Sequence, residues 1–306
     1  MTAIPDNACY SASLLKEVVI PDTVTSIGSS AFRNCSQLAS IVLPNDLEEI
    51  NSYAFYNCSA LVDVVIPDSL TSIGSSAFYG CTALASITIP GSVATIGTSA
   101  FYNCTSLSSV VLQEGIVSIG ASAFYRCQAL TELTIPASVT SIGKNAFNNS
   151  VQRIIFAPGT VAIPAYACYQ ATRLEEAVIP DGVTTIGEYA FYQCANLRLD
   201  LPDTLTTVSP NAFEGCVVSG TCGANLSWTL NIPQNTLEIT GTGEMSFSGA
   251  APWSGVRSLI YFVTFDEGAT TICDEAFSGC FRVESVVLPD SMMSIGANAF
   301  SGCTSL

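Results

Sequence analysis

Six phenylalanines, Phe32, Phe55, Phe78, Phe101, Phe124 and Phe147, stand 23 residues apart. Cys35, Cys58, Cys81, Cys104 and Cys127 keep the same step. This spacing constrains the fold more than any other property of the chain. A unit this short cannot bury its apolar side alone. It must stack on neighbours like itself, and a series of such units forms a solenoid. Twelve Ala-Phe slots can be counted, at Cys9, Phe32, Phe55, Phe78, Phe101, Phe124, Phe147, Cys168, Phe191, Phe213, Phe277 and Phe300.

Each unit divides into three parts. The first is a strand such as Ser40-Ile41-Val42-Leu43 or Ser86-Ile87-Thr88-Ile89, where β-branched residues alternate with small or polar ones. Pro44, Pro67 or Pro90 closes it, because proline cannot continue a ladder. A second extended piece ends in Ile-Gly, as at Ile73-Gly74. A brief helical turn follows, opened by a Ser-like capping residue and carrying Ala-Phe-x-x-Cys. Strands that return after a full coil pair in parallel. Leu38, Ile41, Leu43, Leu47, Ile50, Ala54, Phe55 and Cys58 are then predicted to share one interior. The glycine slot also accepts Asn51, Pro5, Pro164, Ser209 and Cys273. Proline is confined to negative φ, so glycine is expected there for close approach and not for a left-handed backbone.

Composition narrows the function classes. The net charge is −16, from 25 acids against nine bases. Phosphate backbones and anionic lipid are repelled by such a chain, which argues against nucleic acid as a partner. There is no histidine, so the commonest general base and metal ligand is missing. The 13 cysteines mostly occupy one repeat slot inside an apolar pattern. Where the Phe slot holds Cys9 or Cys168, the Cys slot holds Ala12 or Ala171. The sulfur can be dispensed with, which points to buried free thiols and not to obligatory bridges. Close Cys-x-x-Cys pairs are absent, so zinc is not expected. No apolar run is long enough to cross a membrane, and Met1-Thr2-Ala3-Ile4-Pro5 does not open a signal peptide. The chain begins and ends in mid-unit, so it reads as a fragment of a longer protein. No cofactor is called for, and no nucleophile–base pair or distinctive carboxylate pair is visible, so an enzyme is not expected.

The period is interrupted at Asn148-Asn149-Ser150-Val151 and at Leu197-Arg198-Leu199-Asp200-Leu201-Pro202, both read as tightened loops. A larger interruption follows. Asn225–Leu230 and Thr236–Thr240 flank Asn231-Ile232-Pro233-Gln234-Asn235, which reads as a hairpin with a five-residue loop. Trp228 and Trp253 lie in the same interruption, and the core of a small β module is their expected place. The predicted organisation is a repeat array over 1–216, a small β-rich capping or insert module over 217–265, and the start of a second array over 266–306.

The pattern Ile-Pro-x-x-Val-Thr-x-Ile-Gly-x-x-Ala-Phe-x-x-Cys-x-x-Leu, carried almost without deviation by residues 65–89, resembles the BspA-like (Treponema pallidum type) leucine-rich repeats. It covers about 1–216 and 266–306. The insert from Ser219 to Trp253 resembles a segment often placed before such arrays in surface proteins of gut Firmicutes. The resemblance implies a curved solenoid at the cell surface or secreted, attached to proteins of a host or a neighbouring cell. Some members of the family are linked to matrix proteins such as fibronectin. It brings no catalytic motif.

Two surfaces are candidates for binding. The outward positions of the strands include Asp63, Thr88, Glu132 and Thr134, on the surface that repeat proteins often use. Tyr56, Tyr79, Tyr102 and Tyr125 follow the Phe slot in four consecutive coils, and Tyr is enriched at interfaces. The slot also tolerates Arg33, Asn148, Glu214 and Ser278, so it is expected to be exposed. The alternative for this row is mutual stacking that covers the turns. The expected activity is adhesion to a protein or glycoprotein ligand; the alternative is a spacer that displays other domains.

Overall fold

A computed structural model describes residues 2–198, 201–202, 204–216 and 218–306. Leu199 and Asp200 of the second tightened loop, and Val217 at the expected module boundary, lie outside the described residues. The chain winds as a parallel β-solenoid of about 13 turns. Each regular coil contributes to two strand ladders. One ladder contains the longer strands, among them Glu17–Val19, Ser40–Val42, Ser86–Ile89, Ser109–Leu112, Glu132–Ile135, Arg153–Phe156 and Glu176–Val178. The other contains two-residue strands, and seven of them from Ala3–Ile4 to Ser141–Ile142 form one continuous sheet. Its register advances by one coil at each step, as in Ser72↔Thr95 and Ile73↔Ile96.

The third side is not helical as expected. Its residues form tandem hydrogen-bonded turns, and the described residues contain only two short 3-10 helices, Ile232–Gln234 and Ser254–Leu259. The reason is visible in the amides. Ala77, Tyr79 and Cys81 donate within their own coil to Gly74, Ser76 and Phe78. The intervening Ser76, Phe78 and Gly80 donate to Thr98, Ala100 and Tyr102 of the next coil, each at 2.8 Å. A helix would send every amide back along its own axis and leave the next coil unbonded. Alternation requires two residues per turn segment in the left-handed region, here Ser76 (φ 54°) and Gly80 (φ 69°).

Inside, Phe32, Phe55, Phe78, Phe101, Phe124 and Phe147 stack nearly parallel, with centroid spacings from 5.2 to 6.0 Å. Leu38, Ile41, Leu47, Ile50, Ala54, Phe55 and Cys58 are buried around them, while Leu43 is only half-buried. The Phe32, Phe55, Phe78 and Phe101 carbonyls each serve two donors. Phe78 O accepts the Cys81 amide at 3.2 Å and the Cys104 thiol of the next coil at 3.2 Å. Cys58, Cys81 and Cys127 repeat this bond to Phe32, Phe55 and Phe101. All 13 cysteines are free. The next coil after Phe147 offers Ala171, which cannot donate; the Ser150 hydroxyl bonds Phe147 O instead, at 2.7 Å.

The Ile-Gly glycines have no need of a left-handed backbone. A Cβ on Gly97 would lie 2.6 Å from Gly74 C and Ser75 N, so the slot selects for close approach of successive coils.

In the interrupted region, Leu226–Asn231 and Thr236–Gly241 form the expected antiparallel hairpin, closed at Asn231↔Thr236. The second of these strands also pairs in parallel with Phe262–Phe265, which pairs with Ser285–Val287. Gly243–Glu244 pairs in parallel with Ala269–Ile272. Trp253 stands in the Phe column: its ring lies 5.0 Å from Phe277, which stacks on Phe300 at 5.2 Å. Trp253 is fully buried, and its Nε1 donates to Ala276 O at 2.9 Å. Trp228 is buried against it edge-on at 6.1 Å.

Candidate interaction surface

On the strand side, Asp63, Thr88, Glu132 and Thr134 all point outward and are exposed. They do not form one cluster. Asp63 bridges in parallel to Ser40. Thr88 lies opposite Val111 in the Ser86–Ile89 and Ser109–Leu112 pair. Glu132 and Thr134 stand together beyond a break: no ladder joins Ser109–Leu112 to Glu132–Ile135. A shallow open depression of about 470 Å³ marks this break, floored by Val110 and Val111 and edged by Ser108, Thr131, Glu132 and Thr134. Glu132 is already engaged. Arg153 donates to it at 2.7 Å and to Glu176 at 2.8 Å, tying three coils together. These are exposed groups, so the network contributes little to stability.

The turn side carries the tyrosines. Tyr56, Tyr79, Tyr102 and Tyr125 stack face to face, with centroid spacings of 4.6, 4.6 and 4.7 Å and interplanar angles of 6 to 11°. The expectation of a simply exposed row is corrected: all four are half-buried, because each ring covers its neighbour. What remains accessible is a strip of ring edges and hydroxyls. Burial between Tyr56 and Tyr102 pushes the Tyr79 phenol above its ordinary value, and the two flanking phenols add to the shift. Arg33 closes one end, with its guanidinium 4.7 Å from the Tyr56 centroid and also against Tyr53 (5.4 Å) and Tyr10 (5.8 Å).

A second tyrosine cluster was not singled out as a unit in the sequence. Tyr169 and Tyr192 stack at 4.9 Å, Tyr166 and Tyr189 at 5.8 Å, and the two pairs meet edge to face. Lys144 Nζ lies 4.8 Å over Tyr166. Tyr166 and Tyr189 occupy the left-handed turn position, at φ 61° and 54°, as does Tyr53 at 60°. Other coils place Ser76, Ser99, Ser122 or Asn145 there. An aromatic side chain at that position costs on the order of 1–2 kcal/mol. Its departure from the Ser/Asn pattern was the signal available in the sequence.

Among the described residues, no group of three or more Cys, Asp and Glu is placed to hold a metal ion. Nor, among them, is any helix long and apolar enough to cross a membrane.

With this geometry in view, comparison with known proteins identifies the repeat. The BspA type leucine rich repeat region matches in six copies, over residues 2–116, 94–219, 161–248 and 254–306. The chain belongs to that family. These BspA-type repeats are, in general, non-enzymatic scaffolds for protein interaction. A leucine-rich repeat protein from Bacteroides ovatus is similar in structure, with 25% identity and a TM-score of 0.50; the alignment covers 100% of this chain and 81% of that one. A leucine rich cell surface protein from Faecalibacterium prausnitzii aligns at 27% identity and a TM-score of 0.47, covering 100% and 82%. No protein of curated function matches the chain.

Proposed function

We propose that this BspA-type chain is a non-catalytic, extracellular interaction module that attaches a bacterial surface to a protein or glycoprotein of a host or a neighbouring cell. The observation that carries this reading is the unbroken tyrosine strip, a broad and shallow surface that presents repeated amphipathic edges over successive coils. The cell-surface description of the Faecalibacterium relative supports the location. Surface attachment does not require a pocket; it requires area, and stacked coils supply area.

A second reading is a spacer that displays other domains. The continuous seven-stranded ladder favours it, since such a ladder resists bending along the stack. The test is a binding screen of the folded protein against extracellular-matrix glycoproteins, mucins and bacterial surface glycans, at two salt concentrations. A saturable hit supports adhesion. Silence across the panel, with the fold verified by circular dichroism, rejects adhesion in favour of the spacer.

A further inference from the structure

The chain segregates its charges and its tyrosines. Ten of its 11 tyrosines, all but Tyr261, lie in the tandem turns. From Gly28 to Cys194 those turns hold a single acid, Glu188, and three bases, Arg33, Arg126 and Lys144. In the same coils, acids such as Asp63, Glu114, Glu132, Glu175 and Glu176 sit in the strands and on the opposite loops. Over these coils a protein of net charge −16 thus keeps its turn side almost free of acid, while Asp6, Glu214, Asp274 and Glu275 lie in the turns of the coils outside them. The carboxylate ion pairs of Arg153 lie on the other side. Arg33, Arg126 and Lys144 lie against tyrosine rings with no carboxylate within 4 Å.

Resting on the adhesion reading, we propose that the turn side is the binding surface and that its partner is a folded protein presenting an acidic patch. Tyr, Ser, Asn and Gly with a few Arg is the composition of antibody paratopes, where rigid aromatic side chains supply contact area and short polar ones adapt their hydrogen bonds. Here the rows of Asn34, Asn57 and Asn103 and of Ser76, Ser99 and Ser122 flank the tyrosines. Charge complementarity assigns the acidic partner: free cations beside aromatics steer and orient carboxylates. Protein is favoured over glycan because the rings of Tyr79 and Tyr102 are covered on both faces by neighbouring rings. A sugar has no flat face there to lie upon, whereas edges and hydroxyls suit a protein surface. Tyr53, Tyr166 and Tyr189 place a second row of rings beside the strip.

The experiment uses the full chain against immobilised fibronectin, laminin and mucin. Two variants are compared with the parent. The first is Arg126→Asn with Lys144→Glu, Asn being the usual occupant of the Arg126 position. The second is Tyr166→Ser with Tyr189→Ser, Ser being usual at that position. The expected result is saturable binding to at least one protein, weakened at least tenfold by each variant and by raised salt, and kept after enzymatic removal of the glycans. The variants should show unchanged circular dichroism. A hit that both variants retain, or that Glu132→Lys alone abolishes, overturns this inference and leaves the adhesion reading standing. A hit lost with the glycans assigns a carbohydrate and also overturns it. Silence across the panel overturns both.

Discussion

The regular coils from Thr71 to Cys127 and the irregular coil from Thr236 to Ile260 build the same column by different means. In the former, identical rings of Phe78, Phe101 and Phe124 repeat at 5.2 to 5.3 Å, and a cysteine thiol satisfies each buried carbonyl below. In the latter, the larger Trp253 reaches the column from a different chain path and bonds the next coil through Nε1. The difference shows that the column is the conserved physical requirement. Where a flat buried ring stacks, a donor reaches across to the neighbouring coil and the backbone route to that point is adaptable, while at Cys168 the level is filled without a ring.

The largest test of this equivalence removes the ring. Phe101→Ala and Trp253→Ala should each cost about 3–5 kcal/mol in urea unfolding, since each leaves a cavity in a stacked core. Trp253→Ala should be at the upper end, because it also removes the bond to Ala276. If Trp253→Ala costs less than about 1 kcal/mol, the hairpin coil is not a working part of the stack.

Gly97→Ala comes next. Its Cβ would press on the backbone of Gly74 and Ser75, and overpacking of this kind costs roughly 1–3 kcal/mol. The measurement is the thermal midpoint relative to the parent chain. An unchanged midpoint would mean that coil spacing relaxes freely.

The thiols supply a smaller effect with a defined pH sign. Cys104→Ala should cost about 1 kcal/mol beyond its lost volume through the missing bond to Phe78, and Cys104→Ser should restore part of it. Burial pushes the Cys81 and Cys127 thiols up to about 12, against an ordinary value of 9.0. Below pH 9 the thiols are protonated in both the folded and unfolded chain, and the stabilisation is fully present. As pH rises from 9 towards 12, the unfolded chain loses these protons and the folded chain keeps them, so stability falls. Urea midpoints at pH 7.5 and 10.5 check this; an equal or higher midpoint at pH 10.5 contradicts it. A thiol reagent should label the half-buried Cys9, Cys216, Cys273 and Cys303 in the native protein, and the fully buried cysteines only after unfolding.

The smallest effect is expected outside. Tyr102→Ser loses two stacking contacts at a half-buried site, each at the low end of about 0.5–1.5 kcal/mol. A cost near that of Phe101→Ala would make the tyrosine strip a second core and remove the reason to treat it as a surface.

Much of this architecture was legible from spacing alone. Leu38, Phe55 and Cys58 could be placed inside because residues 23 apart must superimpose in a stack. The helical reading of Ala-Phe-x-x-Cys failed for a reason that local sequence does not display. Ser76 and Gly80 adopt left-handed angles because the next coil's carbonyls wait for alternate amides. The pairing of Glu132 and Glu176 through Arg153, and the break beside Val111, likewise depend on neighbours a full coil away.

The regular step of Phe and Cys was enough to dictate a solenoid with a common interior, because the period of a stack is written in every unit. Which side is paired, which rings cover one another, and that Trp253 completes a column begun by phenylalanines were settled only by the folded chain. Those facts depend on distances between residues that no local pattern connects. The acid-poor, tyrosine-lined turn side emerges at the same level, when scattered positions become one surface.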